Sequence, residues 1–139
     1  METVIKKWGQ ERIIWNTDIC GKFLDINSGW RCSDHRHHYK FEVFHILAGS
    51  CYLKIGDNLV HAKAGETFEV PTGVYHWFGC PSVLGDPEEV ACTILEISTH
   101  HMDSDVERRR ESEPFKYSTS LLVDVMRSVP PMLNETVDL

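Results

Sequence analysis

The residues best suited to chemistry stand close together: His35 and His37, two apart, with Glu42 five positions further on. On a β-strand, residues i and i+2 project from the same face, so the two imidazoles can aim at one point. The gap before Glu42 is long enough for a bend into the next strand. Neutral imidazole nitrogens with one carboxylate suit Zn, Fe, Mn, Co, Ni or Cu. A closed structural zinc site would favour cysteine, but Cys20, Cys32, Cys51, Cys80 and Cys92 are dispersed, with no C-x-x-C pair. They read as small buried hydrophobes carrying free thiols. A further segment, Gly65-Glu-Thr-Phe-Glu-Val-Pro71-Thr-Gly73-Val-Tyr-His76, ends one strand and turns the chain before another begins at His76. Of the eight histidines, His38, His45, His61, His100 and His101 read as solvent-facing or packing residues.

These side chains need a rigid scaffold, and the first hundred residues read as β. Val, Ile, Phe, Tyr and Trp recur in short runs broken by Gly, Asn, Asp and Pro. The expected strands are 11–15, 21–26, 41–48, 51–55, 59–62, 66–70, 75–79 and 90–97. Gly56-Asp57-Asn58 is a hairpin turn whose residues tolerate positive φ. Many short strands at close spacing indicate a sandwich or barrel. Beyond Glu96 the chain turns polar, with a charged run from Asp103 to Glu113. Ser118 and Thr119 then precede Leu121-Leu122-Val123, an N-cap signal, and Pro130-Pro131 is a stop signal. A helix of about ten residues is expected there, its β-branched content making an extra strand the competing expectation. Asn134 to Leu139 are expected to fray.

A chain of 139 residues is the length of one domain. Fourteen basic against 21 acidic residues leave a net charge of −7, which argues against a general nucleic-acid binder. No apolar run approaches a membrane span. The first residues carry two lysines but no apolar stretch behind them, so no signal peptide is read and the expected compartment is the cytoplasm.

Gly29-x5-His35-x-His37-x4-Glu42-x6-Gly49 resembles the first motif of the cupin superfamily at every position. Gly65-x5-Pro71-x-Gly73-x2-His76 resembles the second, with Cys80 where the family usually has Asn. Coincidence of both by composition is on the order of one in twenty thousand. The resemblance implies an all-β fold: an antiparallel, jelly-roll-like barrel, here with a short C-terminal helix or extended tail. Residues 1–19 would be a strand segment packing on the barrel or a partner, 20–98 the barrel core, and 99–139 a polar connector and C-terminal segment. It also implies one divalent transition metal per chain, held by His35, His37, Glu42 and His76. Cys80 reads as a core residue.

Two flanks are similar to cupins of the mannose-6-phosphate isomerase and mannose-1-phosphate guanylyltransferase group. Lys7-Trp8-Gly9-Gln10-Glu11 resembles that group's opening without its Pro, and Asp103-Ser-Asp105-Val106-Glu-Arg108 resembles its exit from the last strand. The function they imply is a metal-dependent isomerase or epimerase of a sugar or sugar phosphate, the metal polarising a carbonyl while a base moves the α-proton. Glu69, Glu96 and Lys40 are the candidate bases. Arg108, Trp77, Tyr75 and Phe44 are candidate substrate contacts. The alternatives are an iron-dependent dioxygenase, with Trp30, Tyr39, Phe44, Phe68, Tyr75 and Trp77 lining an apolar pocket, and a non-catalytic binder of small molecules. Val43, His45 and Leu47 alternate opposite to the inward set, and a strand apolar on both sides needs cover on both. A homodimer is expected.

Overall fold

A computed structural model describes residues 1–82 and 89–127. Twelve antiparallel strands form one strongly curled sheet, with a single short helix among the described residues. β1 (Glu2–Lys6), β2 (Gly9–Asn16), β3 (Ile19–Asn27) and β10 (Val90–Thr99) pair in that order and lead to β6 (Glu42–Ile55). β8 (Thr67–Val70) also pairs with the first part of β6. The last part of β6 pairs instead with β7 (Asn58–Lys63) and β9 (His76–Cys80). β9 carries β4 (Trp30–Arg31) and β5 (Asp34–Arg36). β11 (Glu107–Arg110) pairs with β5, and β12 (Glu113–Pro114) with β4.

β6 joins the two halves of the sheet. The expected strands 41–48 and 51–55 are one element, because Gly49 lets the chain change partners without ending. Its φ is +70°, and a Cβ there would lie 2.0 Å from the Ala91 carbonyl oxygen on β10. Only glycine permits that approach. Along β6, Glu42, Phe44 and Ile46 are buried while Val43, His45 and Leu47 face the other side, which is the period of two expected of a pleated strand. The core gathers Leu24, Ile26, Phe44, Ile46, Leu53, Val70, Phe78 and Ile94. All five cysteines are buried free thiols, and Cys80 sits in this core.

Two segments depart from the eight expected strands, and the C-terminal segment had two competing expectations. β1 lies outside the expected strands and pairs with β2 over its whole length. The segment expected as a polar connector supplies β11 and β12, locked by Arg36–Glu107 at 2.5 Å, Arg109–Asp34 at 2.8 Å and the Arg31–Glu113 pair. The C-terminal segment resolves in favour of helix: α1 (Thr119–Arg127) is capped by Ser118 Oγ, which accepts the Leu121 N–H at 3.1 Å. Leu121 is buried in the core. Pro130-Pro131 and the fraying expected at 134–139 lie outside the described residues. No helix among the described residues is long and apolar enough to cross a membrane.

Candidate metal centre

His35 comes from β5, His76 from the start of β9, and the two are direct cross-strand partners. His37 lies just past β5. Their ligand atoms fall within 4.8 Å of one another. The ring centroids are 4.4 Å apart for His35 and His76, 5.0 Å for His35 and His37, and 5.5 Å for His37 and His76. Glu42 opens β6 beneath them and is 2% exposed.

Each imidazole is tied from behind by a backbone carbonyl. His35 Nδ1 lies 2.7 Å from Ser33 O, His37 Nδ1 2.6 Å from Asp105 O, and His76 Nδ1 2.9 Å from Val74 O. A carbonyl only accepts, so each Nδ1 carries the proton and each Nε2 of a neutral ring keeps its lone pair. Burial, with His76 and His37 adding to it, lowers the His35 pKa to about 3. Burial likewise lowers His37 to about 4, although Glu42 opposes the shift. Both rings are therefore neutral near pH 7. His76 is shifted upward, because its proximity to Glu42 outweighs burial. Glu42 is held well below the usual carboxylate range: burial opposes its ionisation, but His76 and Lys40 favour it more.

The cluster leaves polar atoms unsatisfied. Nε2 of His37, Nε2 of His76 and Oε2 of Glu42 are buried without a hydrogen-bond partner. His76 Nε2 and Glu42 Oε2 approach to 2.9 Å without the alignment of a hydrogen bond. Such groups are costly inside a protein. Three imidazole nitrogens and a carboxylate converging in this way fit a divalent transition metal, and the Nδ1–carbonyl bonds are the arrangement that orients metal-binding histidines.

The centre opens into a cavity of about 670 Å³, a size typical of small-molecule sites. Lys40, Glu96, Phe44 and Arg108 line it. Lys40 Nζ bridges Glu42 at 3.0 Å and Glu96 at 3.2 Å, all three side chains being buried. Burial raises the Glu96 pKa, and Glu42 adds to this. The attraction of Glu96 and Glu42 moves Lys40 upward in spite of its burial.

Three expected contacts lie elsewhere. Glu69 is exposed on β8, opposite Val43, because strand alternation sends it to the outer face. Trp77 alternates with His76 and Phe78, so it points away from the cavity, 4.9 Å from the Arg31 guanidinium and edge-on to Phe115. The Tyr75 hydroxyl donates to Glu107 at 2.8 Å, and Arg109 lies over its ring. Of the aromatics proposed for an apolar pocket, only Phe44 lines this one. His38, His45, His61 and His100 stay away from the centre, His45 bonding Thr67 and His61 stacking on Tyr52.

Two participants escaped the sequence reading. His101 lines the cavity, its Nδ1 accepting from Lys40 Nζ at 3.0 Å. Asp105 is buried, and its carboxylate accepts the backbone N–H groups of His38, Tyr39 and Lys40 at 2.7–3.3 Å while its carbonyl holds His37. Both sit in a polar segment, and only the pairing of β11 with β5 brings that segment under the loop after His37. The position of Asp105 in the exit motif was the one available signal.

A cupin domain (Cupin_2) matches residues 22–84. The chain belongs to the cupin superfamily, and its curled antiparallel sheet is the cupin fold. KdgF from Halomonas sp. is 13% identical and superposes with a TM-score of 0.62 over 75% of this chain and 90% of that one. A cupin-2 domain protein from Shewanella frigidimarina is 23% identical, with a TM-score of 0.53 over 70% and 85%. A protein described as a sugar phosphate isomerase, from Acidithiobacillus ferrooxidans, is 17% identical, with a TM-score of 0.51 over 61% and 52%. Comparison with curated proteins gives no match.

Proposed function

We propose that this cupin is a metal-dependent isomerase or epimerase of a small sugar or sugar phosphate. The observation that carries the reading is the set of three tethered imidazoles, two of which, His35 and His37, line with Glu42 a cavity that also holds Lys40 and Glu96. His35, His37, His76 and Glu42 would hold one divalent transition metal, which supplies Lewis-acid polarisation of a bound carbonyl and its neighbouring hydroxyl. Glu96 is the base that takes the proton from the carbon beside the carbonyl and returns it to the former carbonyl carbon, while the proton of the neighbouring hydroxyl passes to the former carbonyl oxygen. Lys40 bridges Glu96 to Glu42 and fixes the base relative to the ligands. The polar walls favour a hydroxylated substrate, and a sugar phosphate isomerase stands among the structural neighbours. Of the aromatic residues expected to line an apolar dioxygenase pocket, only Phe44 lines this one, which weighs against that alternative.

The protein is also read as cytoplasmic, since its buried free thiols suit a reducing compartment, and as a homodimer through the outer face of the first half-sheet.

The test loads the protein with Mn²⁺ or Co²⁺ and incubates it in D₂O with aldoses, ketoses and their phosphates, followed by proton NMR. Interconversion with deuterium entering beside the carbonyl is expected, and Glu96→Gln should lower that rate by roughly 10²–10⁴-fold. No interconversion and no exchange across the panel overturns the reading. Oxygen consumption by the Fe²⁺-loaded protein would favour the dioxygenase instead.

A further inference from the structure

We propose that Arg108 anchors an anionic group of the ligand, so that the substrate of this site is a sugar acid or a sugar phosphate and not a neutral sugar. The inference deepens the reading above and rests on it for the location of the reacting carbon.

Three consecutive arginines end β11, and the structure separates their roles. Arg109 is committed to Asp34, with Nε 2.8 Å from Oδ2, and lies over the Tyr75 ring. Arg110 pairs with Glu113. Glu107, the nearest acid on the same strand, is occupied by Arg36 and by the Tyr75 hydroxyl. Among the described residues Arg108 makes no ion pair and no side-chain hydrogen bond, and it is exposed at the rim of the cavity. A guanidinium with all five donors unspent is matched to a carboxylate or phosphate, which it binds through two parallel bonds.

Register decides where this fork points. Arg108 is the cross-strand partner of His35. Directly opposed residues of an antiparallel pair project from the same face, with Cα atoms about 4.5–5.5 Å apart. Arg108 therefore shares the face of a metal-centre histidine, and the irregularity between Arg108 and Arg110 breaks the alternation after it. An anion held here and a carbonyl held at the centre belong to one small molecule.

The two buried cations of the cavity, Lys22 and Lys40, are already neutralised. Lys22 Nζ lies 3.2 Å from Glu11, and Lys40 is spent on Glu42 and Glu96. With a net charge of −7 the protein as a whole repels anions. Arg108 is thus a cation without an ion pair beside the centre, on a cavity wall it shares with Lys7 and with the acids Glu2, Asp103 and Glu111, and a negatively charged ligand would meet its guanidinium there.

The shared chemistry is an oxyanion on a small hydroxylated molecule, and the probes separate its two forms. Calorimetry on the purified full chain, metal content measured, compares galacturonate, glucose 6-phosphate and glucose. At least one anionic probe should bind about tenfold or more tightly than glucose, as a charged hydrogen-bonded pair implies. The stronger of the two identifies carboxylate or phosphate. Arg108→Gln should abolish that preference, Arg108→Lys should keep only part of it, and Arg110→Gln, which removes the same charge, should keep it. Equal binding of all three probes, no binding of either anion, or a preference that survives in Arg108→Gln overturns the proposal. Arg108→Lys decides the matter if Arg108→Gln does not fold. A protein that takes no metal but retains the Arg108-dependent preference would refute the isomerase reading and leave this one standing. A metal-loaded protein without the preference would do the reverse.

Discussion

At the residue scale, the centre depends on groups that never touch a ligand. Asp105 serves two functions through different atoms: its carboxylate gathers three N–H groups of the turn after His37, and its carbonyl fixes the His37 tautomer. Burial disfavours its charge, but the bonds from His38, Lys40 and Tyr39 more than offset this, and its pKa falls below 3.8. The sign follows directly. A carboxylate lowered on folding stabilises the protein fully above its unfolded pKa, and that stability is lost as pH falls through the folded value. Asp105→Asn should cost about 1–3 kcal/mol at neutral pH. The variant should also lose less than the wild type on acidification. Because the turn positions His37, a ligand in the proposed centre, Co²⁺ affinity should drop roughly 10–100-fold. Thermal melts across pH and a Co²⁺ titration check both. Unchanged Co²⁺ affinity would confine Asp105 to a structural role.

At the scale of elements, β6 is the member on which the two halves depend. It pairs with β10 and β8 up to Gly49 and with β7 and β9 after it. Glu42 stands at one end of this strand, and His76 is paired with Ile55 at the other, so the change of partners helps set the ligands together. Gly49→Ala would place a methyl 2.0 Å from the Ala91 carbonyl oxygen at a φ of +70°. We expect a loss of about 2 kcal/mol or more, read in urea denaturation. A loss below half of that would mean β10 yields at this point and the close approach is not required. β11 illustrates the opposite case. Its sequence, Glu-Arg-Arg-Arg, has no apolar alternation, so nothing marks it as a strand until Asp34, Arg36 and Tyr75 are there to take its side chains.

At the scale of the whole molecule, the outer face of the first half-sheet is where a second copy would sit. Ile14, Trp15, Leu47 and Ile97 are 44–60% exposed there, and Ile97 is flanked in register by Gly21 and Val43. Apolar side chains on a broad sheet face invite cover. Sedimentation should give a dimer at micromolar concentration, and Ile97→Lys should shift it to monomer without loss of Co²⁺ binding. A wild-type monomer removes the homodimer reading.

What the sequence determined by itself was local and periodic. Alternation along 41–48, the Gly56-Asp57-Asn58 turn, the Ser118 cap and the spacing of His35, His37 and Glu42 all depend on neighbours a few residues away. Those short-range rules hold in any fold. What only the tertiary structure decided was long-range: that Glu69 faces out while Glu96 faces in, that Trp77 turns its back on the cavity, and that His101 and Asp105 reach the centre from more than sixty residues along the chain. It also decided that one arginine of three is left without a partner. A side chain's role there is set by the strand opposite it, and pairing across the sheet is not written in the residues on either side.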